Sequence, residues 1–200
     1  MTGNWRQEWV RATLLTVILV LAAPAAAEAP VVGKELPSFY LSTLNPAKSS
    51  VRRVVLDQLV GAEASSPARA LVVVFFDADC QPCRHLLPEL NKLFARHRNK
   101  GLAVVGVDSD AKPEKIASAR KMIDDMGITF SVVAESFQAQ SRRYGIQAYP
   151  TLFIADGQGL LRLRQDGFHV EKKPLPTSTI EQLLFAGGKP ASTPTPAAGD

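Results

Sequence analysis

Two dense apolar runs, ALVVVFF at residues 70–76 and LAVVGVD at residues 102–108, are rich in β-branched and aromatic residues. Such runs predict strands buried on both faces of a sheet. After the first run the period lengthens. Leu86, Leu87, Leu90, Leu93 and Phe94 fall on one face of a 3.6-residue repeat, which predicts a helix. Pro88 is expected to kink it, and Gly101 to end the unit. KPEKIASARKMIDDMG, residues 112–127, has Pro113 near its first turn, Gly127 past its end, and Ile116, Ala119, Ile123 and Met126 on one face. That is a helix with start and stop signals. TFSVV at 129–133 reads as a short strand. SFQAQSRRYG reads as a short helix with Ser136 as N-cap and Gly145 just past its end. TLFIAD and LLRLRQDG around a Gly-rich turn read as a hairpin. Residues 177–188 give a last helix. Before residue 70 the pattern is irregular. It predicts an edge strand around Phe39–Leu41, a strand and a helical turn within 51–61, and a loop at 61–69. Strands alternating with helices, closed by a hairpin, predict an α/β fold with a mixed central sheet flanked by helices.

The two ends do not share this patterning. Residues 1–27 carry Arg6 and Arg11, an apolar run from Ala12 to Ala23, and small residues at Ala25 and Ala27. This is the layout of a secretory signal peptide cleaved after Ala27. Left uncleaved, the segment would tether the protein to a membrane, although the run is short for a bilayer span of about 20 residues. Residues 187–200 are Gly, Pro, Ala, Ser and Thr with almost no large apolar side chain, which predicts a disordered tail. The folded domain is therefore expected at residues 31–186. The net charge of +4 is spread over scattered Lys and Arg. Solvated faces follow from that, not a nucleic-acid surface.

The chain has two cysteines, Cys80 and Cys83, at the turn from the first apolar run into the following helix. Residues three apart on a helix lie side by side, close enough for a disulfide. A thiolate at a helix start faces unpaired N–H groups, which lowers its pKa and makes it a nucleophile. Cys80 is then the attacking thiol and Cys83 the resolving one, working by exchange through a mixed disulfide. A zinc site needs four ligands, and His85, His97 and His169 show no ligand spacing, so no metal or other cofactor is expected. A structural staple closing so small a loop would gain little.

The segment VVVFFDADCQPCRHLLPEL, residues 72–90, resembles the active-site strand and helix of thioredoxin-like proteins, with Pro88 at the family's kinking proline. YGIQAYPTLFIADGQG resembles the later segment of that family, where a cis-proline, here Pro150, precedes a strand. VGKELPSFYLSTL and an inserted helix–strand unit at 112–133 resemble the exported TlpA/ResA-type branch. The resemblance implies a thioredoxin-like fold and an exported, periplasmic thiol-disulfide oxidoreductase. It implies protein disulfides as substrates, the backbone of Tyr149 beside cis-Pro150 as their binding edge, and recharging by a membrane electron donor. In some relatives it implies a part in cytochrome c maturation.

This chain departs from the family at three places. Asp79 replaces the usual Trp before the first cysteine, and Val74 and Leu86 stand where relatives carry a buried acid. Asp77, Asp79 and His85 are the candidates to serve in place of that acid, or else solvated residues, and Asp79 is expected to oppose the Cys80 thiolate by like charge. Gln81-Pro82 offers no donor to the thiolate, so a reductant of modest reactivity is expected; the chain is expected to act as a monomer. A binding or chaperone-like module that does not use the cysteine pair is the alternative. A thiol peroxidase would need Thr and Pro upstream of Cys80, and a copper-delivery protein a wider cysteine spacing.

Overall fold

The computed structural model describes residues 29–135 and 137–185. The signal segment, Ser136 and the C-terminal tail lie outside the described residues. The entry segment holds β1 (Tyr40–Ser42), the short α1 (Pro46–Ser49) and β2 (Arg53–Val55), followed by a 3₁₀ turn. The body follows as β3 (Ala70–Phe76), α2 (Gln81–His97), β4 (Leu102–Asp108), α3 (Pro113–Asp125), β5 (Ser131–Ala134), α4 (Ala139–Arg143), β6 (Thr151–Asp156), β7 (Leu161–Asp166) and α5 (Thr177–Phe185). The strands form one five-stranded sheet in the order β5-β4-β3-β6-β7. β3, β4 and β5 are parallel, and β6 and β7 form the antiparallel hairpin. This is the mixed α/β sheet that the patterning predicts, with the α3–β5 unit adding the outermost strand.

β3 is the central strand, and all seven of its residues are buried. Val72, Val74 and Phe76 face α2, α3 and α5 and pack with Leu86, Leu87, Leu90, Ala119, Ile123 and Ile180. Leu71, Val73 and Phe75 face the entry segment and α4, against Leu36, Phe39, Leu56 and Tyr144. Burying each such side chain contributes about 1.5–3 kcal/mol, so the strand that leads into the cysteines is the most firmly held part of the sheet.

Three local features differ from the patterning. The strand near Phe39 starts at Tyr40 and pairs with β2 in a separate two-stranded sheet. The outer edge of the main sheet is covered instead by the residues after it: Leu44 N–H donates to Val132 O at 2.7 Å. Beside it, the buried Asn45 donates to Phe130 O at 2.8 Å and accepts from Val132 N–H at 3.0 Å. The short helix α4 begins at Ala139, after Phe137 and Gln138 in left-handed backbone. Its first-turn N–H groups go to the Glu135 carboxylate, which accepts from Gln140 and Ser141. A glutamate from the end of the preceding strand therefore caps this helix. Met122, absent from the helix face read in the sequence, is buried in α3.

Replacing Asn45 by Ala would strip β5 of these bonds and leave buried backbone groups unpaired. A loss of about 2 kcal/mol of stability is expected, read as a lower denaturation midpoint with an unchanged slope.

Candidate active site

β3 ends at Phe76, and four residues later the chain enters α2. Between them Cys80 N–H reaches back to Asp77 O at 3.4 Å, closing a tight turn. Cys80 is the N-cap of α2, and its Sγ accepts the N–H of Cys83 at 3.2 Å. The two cysteines form a disulfide, with their Cα atoms 5.3 Å apart. Cys80 keeps 8% of its surface exposed and Cys83 none. A reagent from solvent therefore meets Cys80 first. Gln81 and Pro82 between them are exposed.

The Tyr149–Pro150 peptide bond is cis. Register places it beside the cysteine turn: Thr151 pairs with Phe75 of β3, so Tyr149 and Pro150 lie alongside the residues that leave β3. The loop is pinned from behind. Gly167 N–H donates to Pro150 O at 2.7 Å, and Thr151 Oγ1 lies 2.8 Å from Ala148 O. Tyr149 is half-buried and packs against both faces of the core. The disulfide and the cis-proline loop thus sit at one edge of the sheet, brought together from positions about 70 residues apart.

The charges around the turn are arranged differently from the simple like-charge picture. Asp79 is exposed, and both its carboxylate oxygens are held by Lys115 Nζ from the first turn of α3, at 2.6 and 2.9 Å. The negative charge beside Cys80 therefore comes with its own cation, and the expected opposition to the thiolate is reduced. Asp77 is half-buried, and burial, with Asp110 and Asp79 nearby, raises its carboxyl above the ordinary value. His85 is exposed on α2, His97 is buried near Glu181 at the far end of that helix, and His169 lies on the loop after β7. The three histidines do not meet.

One acid was missed in the sequence. Asp108, the last residue of β4, is fully buried. Burial and the neighbouring Asp110 push its carboxyl up to about 8. The only signal was an acidic residue closing an apolar run, and strand ends normally reach water.

The AhpC/TSA family model matches residues 32–164. The thiol-disulfide oxidoreductase ResA of Bacillus thuringiensis (strain Al Hakam) is 26% identical over 128 residues, covering 64% of this chain and 65% of that protein. The chain thus spans just under two thirds of the length of this relative. The thioredoxin-like protein YneN of Bacillus subtilis (strain 168) is 26% identical over 130 residues, covering 65% of this chain and 68% of YneN. Among solved structures, a Chlorobium tepidum protein assigned as the thiol:disulfide interchange protein DsbE superposes with a TM-score of 0.62 at 26% identity. That match covers 79% of this chain and 98% of the other, and the fold is thioredoxin-like.

Two outcomes follow from these charges. Removing the cation in Lys115→Ala leaves Asp79 unpaired beside Cys80. Thiolate absorbance against pH is expected to show a higher Cys80 pKa in the variant, by less than about one unit because the pair is exposed. The second concerns stability. The unfolded chain ionises Asp108 near 3.8, whereas the folded chain holds its proton up to about 8. Unfolding between these values releases a proton, so rising pH favours the unfolded state. The contribution is full below about pH 4 and is lost by about pH 8. Over that window Tm is expected to fall more steeply in the wild type than in Asp108→Asn, and the two curves should run parallel above it.

Proposed function

Because the chain belongs to the AhpC/TSA family, we propose that it is an exported thiol-disulfide oxidoreductase that reduces protein disulfides through Cys80 and Cys83. The observation that carries this reading is the Cys80–Cys83 disulfide at the start of α2, facing the edge that holds Tyr149 and cis-Pro150. ResA and DsbE, the names of similar proteins, belong to the same reaction class.

In the dithiol state the Cys80 thiolate attacks a substrate disulfide. A mixed disulfide forms and one substrate sulfur leaves. Cys83 then attacks Cys80 Sγ, the second substrate sulfur leaves, and two electrons have passed to the substrate. The Cys83 N–H aimed at Cys80 Sγ and the start of the helix stabilise the thiolate. The backbone of Tyr149 offers an extended substrate its binding edge. Pro82 supplies no N–H to the thiolate. That supports a poise nearer the roughly −270 mV of thioredoxin than the roughly −120 mV of DsbA. In this reading residues 1–27 direct export to the periplasm, or tether the protein if they are retained. Residues 31–186 act as a monomer, 187–200 form the tail, a membrane donor returns the electrons, and cytochrome c maturation is one process it would serve.

The test is reduction of insulin disulfides and equilibration with a glutathione buffer. The wild type is expected to be active with a low potential. Cys80→Ser is expected to abolish activity, and Cys83→Ser to accumulate a mixed disulfide at Cys80. Limiting alkylation of the reduced protein should label Cys80 first. No exchange by the wild type would leave the scaffold-only alternative standing.

A further inference from the structure

Phe137 lies in the turn between β5 and α4 and keeps 83% of its surface exposed, the highest value for a large apolar side chain among the described residues. It and Gln138 both adopt left-handed backbone, with φ of 57° and 53°. A bulky residue avoids this region because its Cβ crowds the carbonyl that follows. Two such residues in succession persist only where their surroundings hold them. Here they are held. Arg142 Nη1 donates to Phe137 O at 2.6 Å, and Gln138 Nε2 to Ser109 O at 3.5 Å. The Glu135 carboxylate just before them takes the first N–H groups of α4. The ring is thus presented to solvent from a fixed backbone. The exposed rings of Tyr40 and Phe185 each carry a cation, from Arg53 and Lys100. Among the described residues no cation or aromatic ring stacks on Phe137.

This turn stands on the same edge of the sheet as the cysteines. β3, β4 and β5 are parallel, so the loops after them emerge together. Ser109 N–H donates to Phe76 O at 2.9 Å, and Glu135 N–H to Asp108 O at 3.1 Å, which holds those loops side by side. Neighbouring strands lie about 4.8 Å apart, so the end of β5 is about 10 Å across the edge from the end of β3. An extended chain covers that distance in about three residues. On the other face, α4 and the segment after it run from Phe137 to Tyr149 and Pro150. The cysteine turn itself offers no large apolar side chain. Its exposed residues are Asp79, Gln81, Pro82, Arg84 and His85, and Asp79 is paired with Lys115.

We propose that Phe137 is a specificity-determining residue for the disulfide exchange, its ring receiving an apolar side chain of an extended polypeptide substrate. That side chain would lie about three to five residues from the cysteine that Cys80 attacks. The proposal rests on the exchange reading given above and names the substrate class within it. An aromatic ring buried against an apolar side chain is the kind of contact that dominates binding at a protein surface. The covalent steps are unchanged by it. A small disulfide with no polypeptide around it has nothing to set against Phe137, so the ring separates protein disulfides from small ones. The left-handed backbone fits this role, because the fold alone would favour Gly or Asn at such a position.

The test compares insulin with oxidised glutathione as disulfide substrates of the reduced full chain. Rates are read in single turnover by acid quench and alkylation, over a range of substrate concentration. In Phe137→Ala and Phe137→Asn the half-saturating insulin concentration should rise at least about fivefold. The limiting rate, and the rate with oxidised glutathione, should stay at the wild-type values. Phe137→Trp should keep insulin binding near that of the wild type. Asn tolerates left-handed backbone, so Phe137→Asn should hold or raise Tm while it loses insulin binding. Insulin curves that overlay the wild type overturn the proposal and leave the exchange reading intact. Equal slowing with both substrates, or a loss of insulin binding that comes with a lower Tm in Phe137→Asn, assigns Phe137 to the fold and also overturns it. No reduction of either substrate by the wild type overturns both readings.

Discussion

The redox turn depends on a strand with no exposed residue. β3 is covered on both faces and hydrogen-bonded on both sides, to β4 and to β6. Any drift of its C-terminal end would break two ladders and open two cores at once. Cys80 follows four residues after that end, so its position is fixed to the scaffold rather than to a loop. The same pairing fixes the partners of the site. β6 brings Tyr149 and Pro150 to one side of the turn, and β4 brings Asp108 and Asp110 to the other.

The chemistry of the turn is set by small local terms and not by one dominant charge. The start of α2 and the Cys83 N–H favour a thiolate at Cys80. Asp79 disfavours it, but Lys115 from α3 lies against that carboxylate. The inserted α3–β5 unit therefore does more than widen the sheet, because its first turn carries the cation that offsets the nearest acid. Such an exposed pair is screened by water and salt, which keeps its influence modest.

Burying an acid such as Asp108 costs stability at neutral pH, and a Leu or Val at this strand end would avoid that cost. Val74 and Leu86, at the positions where relatives carry their acid, are both packed in the core beside the cysteines. The interior beneath the helix is lined by apolar side chains, and the buried Asp108 carboxyl closes the neighbouring strand.

The sequence by itself determined the elements and the chemistry that depends on near neighbours. Periodicity located β3, β4, α2 and α3, because apolar spacing reflects which faces are buried. The two-residue gap between Cys80 and Cys83 at a strand-to-helix turn specified a pair that can close, since residues three apart on a helix are adjacent. Only tertiary structure decided the rest. Glu135 caps α4 across a turn in left-handed backbone, Lys115 reaches Asp79 over 36 positions, and Asn45 covers β5 from more than 80 positions away. Above all, the burial of Asp108 follows from its register with Phe76 and the helices packed over that face. A local pattern does not encode register between strands that are distant in the chain, and an acid at a strand end looks the same in sequence whether water or a helix lies above it.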